Sequence, residues 1–477
     1  LLKQRDGEIK EMNRRQASKE EIEKCREDRD AEIDSVLTRF AVDVYALEGE
    51  NLFARINTDF KNGGVERNVE ITDFEGRILH DIEPYRINLT PPHVHKDLDK
   101  SFYKTHLEEV PELLENMVDN VLNSSFNING FSINERYLKR RFGANLGGIR
   151  RVFIAGMGTS YHAALAVSGF IRETFPDIQV IVRQPVEIDL MKGTFIPEED
   201  LVLLLSWSST TAEMVKLSKE LYRKNILFIG VTEKIFGDMA LVARKSCGVV
   251  YVMSGEEVTV SAVKSTFCSM MSLVLFSLHI CRDIIRRPVD WSVTGGIMQI
   301  SHYLKSMTDD KNLEGLSGEL ASQYAGKDGF VLIDSLHSTG TGREAVMKME
   351  EMTWSMAGKA LDYDDVNLRL VKDAGKRSFL VVNATCAKRF SRALEIMETL
   401  HIEGIPFCAV TFDGTETEKI RNYAQGNLVL LPKLEDNLQP FVDFMFYYML
   451  AFHFGGAVGR KPDDYPRNRA KSVTTSR

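Results

Sequence analysis

Two patterns of hydrophobic and polar positions divide the chain. Between residues 41 and 98 apolar and polar residues alternate, as in Asn68–Thr72, and Asn62-Gly63-Gly64 signals a tight turn. Alternation with such turns predicts short antiparallel strands and hairpins. From about residue 100 onwards, short apolar runs rich in β-branched residues are separated by longer helical patterns. This second pattern predicts parallel strands joined by helices.

The strand-and-helix pattern occurs in two series. An amphipathic helix with a proline at its start, Val110–Val121, precedes them, and a long helical stretch, Thr266–Met307, links them. The similar order of the two series predicts an internal duplication. The expected fold class is therefore α/β, with two tandem doubly wound parallel-sheet domains after a small α+β region. Strands are predicted near Val152, Gln179, Leu201, Ile226 and Val249 and again near Phe330, Phe379, Phe407 and Leu428.

These patterns set the predicted domain boundaries. Residues 1–40 are dense in charge and are expected to form a solvated helical segment, and residues 41–98 are the small β region. The two sheet domains occupy residues 99–295 and 296–460. Residues 461–477 form a polar C-terminal tail.

Composition excludes several classes of function. The net charge of −8 provides no basic field for nucleic acid or for an anionic membrane. The longest apolar run, Met270–Ile280, is too short to span a bilayer, and no signal peptide opens the sequence. Six scattered cysteines without metal-ligand spacing predict free, buried thiols in a reducing compartment. We therefore expect a cytoplasmic protein that binds neither nucleic acid nor membrane.

Three polar segments lie where strands of the first series end. Gly156–Ser160 follows the apolar run Arg151–Ala155, Ser206–Thr211 follows Leu201–Leu205, and Glu256–Lys264 is the third segment. Hydroxyls and backbone N–H groups at strand ends and helix starts stabilise an anion without a metal. The lysine of a Walker loop and the third glycine of a dinucleotide fingerprint are missing, which disfavours a nucleotide. The predicted ligand is a sugar phosphate, and we expect no cofactor.

These segments resemble the three sugar-phosphate loops of a sugar isomerase (SIS) domain, in the version found in glutamine:fructose-6-phosphate amidotransferases. The resemblance rests on Gly158–His162, Ser206–Met214, Glu256–Phe267, Glu344–Glu351 and the tail Asp464–Thr474. It extends from about residue 100 to the end of the chain and, more faintly, back to about residue 40. It implies two tandem SIS domains, a sugar-phosphate substrate and a homodimer whose site is completed across the subunit interface.

The resemblance also implies roles for individual residues. Glu351 corresponds to the catalytic glutamate, and Lys348 corresponds to the isomerase lysine one helical turn before it. Lys471 corresponds to the lysine that forms a Schiff base with the sugar carbonyl. The implied substrate-binding set consists of the phosphate ligands Ser160, Ser206, Ser208 and Thr211, together with Gly158, Thr159, Trp207, Val260 and Lys264.

The chain departs from the family pattern at several positions. The family's ring-opening histidine, which a neighbouring subunit contributes, has no counterpart in Asp362–Arg369, where Asp364 or Asp365 is the candidate substitute. In the second loop, Trp207 replaces a glutamine and Ser209 replaces a glycine. Because these positions lie in the segments that the family uses to hold its sugar, the substrate is fructose 6-phosphate or a relative.

The N-terminal part of the chain indicates whether this chain can release ammonia from glutamine. Val44–Ile56 resembles the last strands of the family's glutaminase domain, whose nucleophile is an N-terminal cysteine. This sequence starts with Leu1, and its first cysteine, Cys25, lies in the charged helical segment. We therefore expect no glutaminase activity from this chain alone, and a glutaminase that lies upstream or on another polypeptide.

Three functions fit these observations. The first is a phosphosugar isomerase and aminotransferase that converts a ketose 6-phosphate to a 2-amino-aldose 6-phosphate through Lys471, Glu351 and Lys348. The second is a non-catalytic sugar-phosphate-binding regulatory protein, which the missing histidine favours. The third is a fructosamine-6-phosphate deglycase. The tail lysine in its full sequence context favours an enzyme, because a binding protein needs no amine that traps a carbonyl.

The remaining histidines predict no metal site. His93 and His95 flank a proline turn and have no carboxylate or cysteine at ligand spacing, so we interpret them as loop residues. His162 and His337 follow strand ends in the two predicted sheets, and His337 is the stronger functional candidate of the two.

Overall fold

The computed structural model of the protein divides into two compact units, residues 1–91 and 92–477. It describes residues 101–461 except 121–130, 191, 192, 194, 236, 256, 258, 260, 287–290 and 336–338 and, in the first unit, four strands between residues 43 and 86. The predictions made for residues 1–40, His93, His95, Val260, His337 and Lys471 concern positions outside the described residues.

The four strands of the first unit form two antiparallel pairs. β1 (Asp43–Val44) pairs with β4 (Tyr85–Arg86), and β2 (Leu52–Lys61) pairs along its whole length with β3 (Gly64–Asp73). Only an Asn-Gly dipeptide separates β2 from β3 in the sequence. Asn-Gly between two alternating segments is a strong hairpin signal, and the predicted antiparallel hairpin is confirmed.

The second unit alternates strands and helices. Its strands are β5 (Phe131–Ile133), β6 (Arg151–Ala155), β7 (Gln179–Arg183), β8 (Asp200–Leu205), β9 (Leu227–Thr232), β10 (Gly248–Tyr251), β11 (Gly329–Asp334), β12 (Ala357–Asp362), β13 (Ser378–Asn383), β14 (Cys408–Thr411) and β15 (Leu428–Leu430). Its α-helices are α1 (Phe102–Val118), α2 (Glu135–Phe142), α3 (Thr159–Thr174), α4 (Pro185–Leu190), α5 (Ala212–Arg223), α6 (Asp238–Ser246), α7 (Lys264–His279), α8 (Trp291–Asp309), α9 (Lys311–Tyr324), α10 (Thr339–Thr353), α11 (Leu368–Arg377), α12 (Phe390–Ile402), α13 (Thr417–Tyr423) and α14 (Gln439–Ala457).

Two sheets in this unit share one topology. The first has the order β5-β10-β9-β8-β6-β7, and the second has the order β12-β11-β13-β14-β15. All neighbouring strands are parallel except β5, which pairs antiparallel with β10 at an edge. Numbered from its first parallel strand, each sheet has the order 2-1-3-4-5 of a doubly wound fold. The predicted pair of doubly wound parallel sheets is confirmed, whereas the exact domain boundaries stay predictions.

One apolar core joins the two sheets. Alternate residues of each sheet face it, such as Ile154 in β6 and Leu332 in β11, whereas their neighbours Phe153 and Ile333 belong to separate clusters on the opposite faces. Every residue of α7 is buried in this arrangement. Within the described residues the stretch Lys264–Arg282 is long and apolar enough to cross a membrane, but it lies wholly inside the protein, as a central core helix does.

The cysteines belong to the packed interior. The five in the described part of the chain, Cys247, Cys268, Cys281, Cys386 and Cys408, are free and buried, as predicted. Burial raises the pKa of Cys247 and of Cys408 to about 12. Because the thiolate is the reactive form, these two thiols serve packing rather than nucleophilic chemistry.

Helices α3 and α10 pack backbone against backbone. A Cβ atom on Gly340, near the start of α10, would lie 2.4 Å from the backbone nitrogen of Ala166 and 2.5 Å from the carbonyl oxygen of His162. Only glycine fits at such a distance. This close crossing brings the helix that follows the first polar loop against the helix that carries Lys348 and Glu351.

The crevice where strand order reverses is filled in the second sheet. Doubly wound folds bind ligands there, at the carboxyl ends of the first and third strands. Beside the end of β13, Asp443 of α14 accepts hydrogen bonds from Thr385 (2.7 Å), Asn383 (3.3 Å) and Gln439 (3.0 Å). Burial raises the pKa of Asp443 to about 6, although these hydrogen bonds act to lower it. In the first sheet the corresponding strand ends lead instead into Gly156–Ser160 and Ser206–Thr211.

Two helix predictions differ from the structure. The predicted start at Pro111 is wrong, because α1 begins at Phe102 and Pro111 lies inside it. Ser101 caps that start by accepting a hydrogen bond from the backbone N–H of Lys104 at 3.2 Å. The predicted helical stretch Thr266–Met307 consists of two helices, α7 and α8, and a π-helical segment, Ile280–Ile284, follows α7.

Two edge strands were not predicted. β5 has only three residues, which is too short for an alternation pattern to be recognised. β12 lies at the edge of the second sheet, and none of its six residues is fully buried, so it lacks the apolar run of the inner strands.

Candidate active site

The first loop turns from β6 into α3 within three residues. Gly158 caps α3 with a φ of +52°, a conformation that favours glycine. A Cβ atom on Gly156 would lie 2.8 Å from the backbone nitrogen of Tyr161, so this position also requires glycine. Thr159 and Ser160 therefore lie in the first turn of a 16-residue helix, where backbone N–H groups lack intrahelical partners and an anion is stabilised.

The second loop gathers hydroxyl groups at the start of α5. The hydroxyl oxygens of Ser206 and Thr211 lie 3.3 Å apart, and the Thr210 hydroxyl donates to Ser208 Oγ at 3.3 Å. Thr211 is the N-cap residue of α5, but its side chain makes no capping hydrogen bond. Its hydroxyl therefore contacts another loop hydroxyl instead of the helix backbone.

Two residues of the second loop that depart from the family pattern contact neighbouring elements. Ser209 adopts a φ of +57°, and its buried hydroxyl caps α6 by accepting the backbone N–H of Ala240 at 2.8 Å. The indole N–H of Trp207 donates to Ser254 Oγ at 2.8 Å, and Lys234 Nζ lies 5.0 Å from the centre of the indole ring. Trp207 is therefore held in one orientation beside the loop.

A buried ionic cluster lies on one face of α10. Its members Glu344, Lys348 and Glu351 follow one another at intervals of four and three residues, which aligns them on the helix. Lys348 Nζ lies 3.2 Å from Glu344 Oε1 and 2.8 Å from Glu351 Oε2. The side chains of Glu344 and Lys348 are fully buried, whereas that of Glu351 is 23% exposed. The cluster thus presents one carboxylate to solvent.

The first and third loops contact this cluster directly. The Thr159 hydroxyl accepts a hydrogen bond from Lys348 Nζ at 3.2 Å and donates one to Glu344 Oε1 at 3.1 Å. From the third loop, the Ser261 hydroxyl donates to Glu351 Oε2 at 2.8 Å. Segments far apart in the sequence are therefore joined side chain to side chain around Lys348 and Glu351.

Sequence reasoning missed Glu344 and Tyr448 as members of the cluster and ranked His162, a third member, below His337 as a functional candidate. His162 donates from Nδ1 to Glu344 Oε2 at 2.8 Å, and the Tyr448 hydroxyl donates to Glu344 Oε1 at 2.7 Å. Glu344 had one available signal, since it lies one helical turn before Lys348 on the same face. Tyr448 had none, because it belongs to a long apolar helix in which a tyrosine resembles any other core residue.

The charges of the cluster offset the cost of their burial. Burial acts to raise the pKa of Glu344, but the Lys348 ammonium and the hydrogen bond from His162 lower it to about 2. Burial likewise acts to lower the pKa of Lys348, but the two glutamates raise it above its ordinary value. Both groups are therefore charged at neutral pH, and the Glu351 carboxylate lies against a permanent ammonium.

Other predicted residues have different surroundings. Lys264 is fully buried, with its Nζ 2.9 Å from Glu109 Oε2, so its charge is neutralised within the fold. The exposed Asp364 accepts a hydrogen bond from Arg389 at 2.6 Å, and this bond lowers the pKa of Asp364. A lowered pKa makes a carboxylate a poorer proton carrier at neutral pH. Asp365 follows it in the same exposed turn.

Comparison with known proteins identifies the first sheet and its loops. Residues 146–279 match the family model described as the SIS domain. This segment is therefore similar to a SIS domain. It contains β6 to β10 and α3 to α7, and hence all three polar loops.

The similarity extends beyond the SIS domain. Glutamine--fructose-6-phosphate aminotransferase [isomerizing] 2 of Bos taurus is 26% identical over 336 residues, which cover 68% of this chain and 46% of the relative. The aminotransferase [isomerizing] 1 of Rattus norvegicus is 26% identical over 382 residues, covering 78% and 52%. The chain therefore spans about half the length of the curated relatives it matches. The resemblance read from the sequence motifs is confirmed.

A solved structure supports the same fold. The C-terminal domain of glucosamine-fructose-6-phosphate aminotransferase from Francisella tularensis aligns with a TM-score of 0.65 at 16% identity, over 77% of this chain and 99% of that chain. At this identity the likeness concerns the fold alone. It shows that the arrangement of two sheets, and not only the SIS domain, is shared.

The buried cluster predicts how a substitution affects stability. Lys348→Met leaves Glu344 buried without its ammonium partner, and removing one partner of a buried pair costs about 3–5 kcal/mol. We expect the free energy of unfolding, measured by urea denaturation at pH 7, to fall by about that amount. The control is Lys372→Met, which removes the exposed ion pair with Glu403 (3.2 Å) and is expected to cost about 1 kcal/mol or less. Equal losses in the two variants would contradict this description of the cluster.

Proposed function

We propose that the protein is a phosphosugar isomerase of the isomerising aminotransferase type, acting on a ketose 6-phosphate such as fructose 6-phosphate. The observation that carries the proposal is the position of Glu351. Lys348 Nζ and the Ser261 hydroxyl both bond to its Oε2, yet the side chain remains partly exposed. A fixed and accessible carboxylate is what a proton shift between two adjacent sugar carbons requires.

Glu351 acts as the base in this proposal. In an open-chain ketose, the carboxylate removes a proton from C1, a C1–C2 double bond forms, and the C2 carbonyl oxygen takes up the displaced electron pair and a proton from solvent, which leaves an enediol. The protonated glutamic acid then returns its proton to C2 while the O1 hydroxyl releases its proton to solvent, and the aldehyde forms at C1. The Lys348 ammonium and the Ser261 hydroxyl both bond to Oε2, which fixes the carboxylate, and the proton transfer is assigned to the other oxygen, Oε1.

The phosphate is assigned to the first and second loops. Ser160 lies in the first turn of α3, and Ser206, Ser208 and Thr211 lie at the start of α5. The positive ends of both helix dipoles lie at these positions, where they favour an anion. Gly158 permits the tight entry into α3. Hydroxyl and N–H donors of this kind bind a phosphate dianion without a metal.

The transfer of nitrogen is a finer part of the proposal. The aminotransferase names of the relatives support a transfer of nitrogen to the sugar phosphate, for which we propose a 2-amino-aldose 6-phosphate as the product. The resemblance of the tail segment supports Lys471 as the Schiff-base lysine. A homodimer in the cytoplasm, with ammonia from an upstream or separate glutaminase, completes this hypothesis. A fructosamine-6-phosphate deglycase would use the same glutamate and lysine on a substrate that already carries nitrogen.

One observation favours a second candidate, a sugar-phosphate-binding regulatory protein. The segment Asp362–Arg369 contains no histidine, and Asp364 is engaged by Arg389. Such a segment offers a cyclic sugar no proton carrier near neutral pH. A binding protein would retain the two phosphate loops and lose turnover.

The isomerase proposal predicts exchange of a sugar proton with solvent. In D2O the protein is expected to catalyse deuterium incorporation at C1 of fructose 6-phosphate, followed by NMR spectroscopy. Glu351→Gln removes the base, and a general base contributes about 100- to 10,000-fold to rate, so exchange is expected to fall by that factor. Glu350→Gln is the matched control because Glu350 is exposed and accepts the backbone N–H of Gly358 at 2.8 Å, outside the cluster.

Two results would overturn this assignment. Exchange that persists in Glu351→Gln would show that another group is the base. Binding of sugar phosphates without exchange in the unsubstituted protein, detected as a raised melting temperature, would establish the regulatory protein instead.

The nitrogen hypothesis predicts a covalent adduct on the tail. Borohydride reduction in the presence of fructose 6-phosphate is expected to add one sugar to Lys471, identified by mass spectrometry of the C-terminal peptides. Lys471→Arg is expected to abolish the adduct, since a guanidinium forms no Schiff base, whereas Lys461→Arg is expected to leave it unchanged. Proton exchange without any adduct would limit the protein to isomerisation and remove Lys471 from the mechanism.

A further inference from the structure

A buried histidine that has no role in the proposed reaction lies beside the third loop. His106 of α1 is fully buried, and its Nδ1 lies 2.6 Å from Glu257 Oε1. Its other ring nitrogen, Nε2, is buried without a hydrogen-bond partner among the described residues. Leaving a buried polar atom unpaired costs about 1–3 kcal/mol. A histidine at this position is therefore costly, and its contact with Glu257 is the feature that distinguishes it from an apolar core residue.

Glu257 links the histidine to the shape of the third loop. Its Oε2 accepts hydrogen bonds from the backbone N–H groups of Val263 (3.1 Å) and Ser265 (2.9 Å), at the start of α7. Its Oε1 faces both His106 and the Thr259 hydroxyl, which lies 3.0 Å away. One carboxylate therefore contacts α1 through His106 and binds Thr259, Val263 and Ser265 of the third loop.

The third loop also contacts the proposed base, Glu351. The Thr259 hydroxyl lies 2.9 Å from the carbonyl oxygen of Ser261, and the Ser261 hydroxyl donates to Glu351 Oε2 at 2.8 Å. The contacts run without interruption from His106 through Glu257, Thr259 and Ser261 to Glu351. A second ionic contact, from Glu109 to Lys264 at 2.9 Å, fixes α1 to the same loop one turn further along the helix.

We propose that His106 is a positioning residue for Glu351, which it orients through Glu257, Thr259 and Ser261 of the third loop. This inference rests on the proposed role of Glu351 as the base. It assigns to α1, a helix that precedes the SIS domain match at residues 146–279, a part in the geometry of the site. His106 does not touch the substrate in this account.

The test compares three variants at buried histidines. His106→Leu removes the donor to Glu257, and His106→Asn restores an N–H group at the position of Nδ1 without the unpaired Nε2. His279→Leu is the matched control because His279 is also buried, at the far end of α7 from the third loop. We expect His106→Leu to lower kcat for proton exchange by about 100-fold at nearly constant KM, since small displacements of a catalytic group have effects of that size. His106→Asn is expected to recover most of this loss, and His279→Leu is expected to leave kcat unchanged.

A second measurement does not depend on turnover. Amide hydrogen–deuterium exchange by mass spectrometry reports the protection of Val263 and Ser265, whose N–H groups are bonded to Glu257. We expect faster exchange in the peptide spanning 257–265 for His106→Leu, and protection at the unsubstituted level for His106→Asn and His279→Leu.

Failure of this inference is distinct from failure of the proposed function. If the unsubstituted protein catalyses exchange and His106→Leu retains its kcat, His106 does not position Glu351. If His106→Leu lowers kcat and His106→Asn does not recover it, or if His279→Leu lowers kcat equally, a general loss of stability is the cause. If the unsubstituted protein shows no turnover, the proposed function fails, and unchanged amide protection in His106→Leu would independently overturn the link between His106 and the loop.

Discussion

The site depends on one interaction, the buried contact of the Lys348 ammonium with Glu344 and Glu351. Two of these three charges are withdrawn completely from water, which is expensive unless each charge finds a partner and further hydrogen bonds. Here Thr159, His162 and Tyr448 supply those bonds to Glu344. Elements from the two halves of the second unit must therefore meet at this point before the charges are satisfied.

This dependence explains why the cluster belongs to a site rather than to the core alone. Apolar residues of similar size would fill the interior at a lower desolvation cost, so a buried ion pair is weak evidence for stability. The third member, Glu351, is the only one of the three with exposed surface, and it lies at the edge of the first sheet's loops. The buried pair thus holds the partly exposed carboxylate of Glu351 in place.

The two sheets have the same strand order but different surroundings at the reversal of that order. In the second sheet, Asp443 and Gln439 of α14 occupy the region beside β13 and satisfy its polar groups. In the first sheet, the strand ends carry glycine turns and hydroxyl groups instead. The same helix α14 contributes Tyr448 to the first half's cluster. Helix α14 therefore contributes side chains to both places: Asp443 and Gln439 beside the second sheet, and Tyr448 to the ionic cluster beside the first.

Much of this arrangement was predictable from sequence, for physical reasons. The inner strands are apolar runs of the right length, and loops at the ends of parallel strands must lie on one edge of a sheet. Lys348 and Glu351 were predicted from the family resemblance, and their spacing places them on one face of a helix. His106, Glu257 and Tyr448 were not predicted, since their roles come from packing between distant segments. The helix start predicted at Pro111 was wrong because this proline lies inside α1, which begins at Phe102.

The most direct test of the account is a crystal structure with a bound ketose 6-phosphate. The account predicts the phosphate within hydrogen-bond distance of Ser206, Ser208 and Thr211, and C1 or C2 of the sugar about 3–3.5 Å from a carboxylate oxygen of Glu351. A phosphate bound beside the second sheet, or a sugar bound at the first with its carbonyl carbons directed away from Glu351, would contradict it.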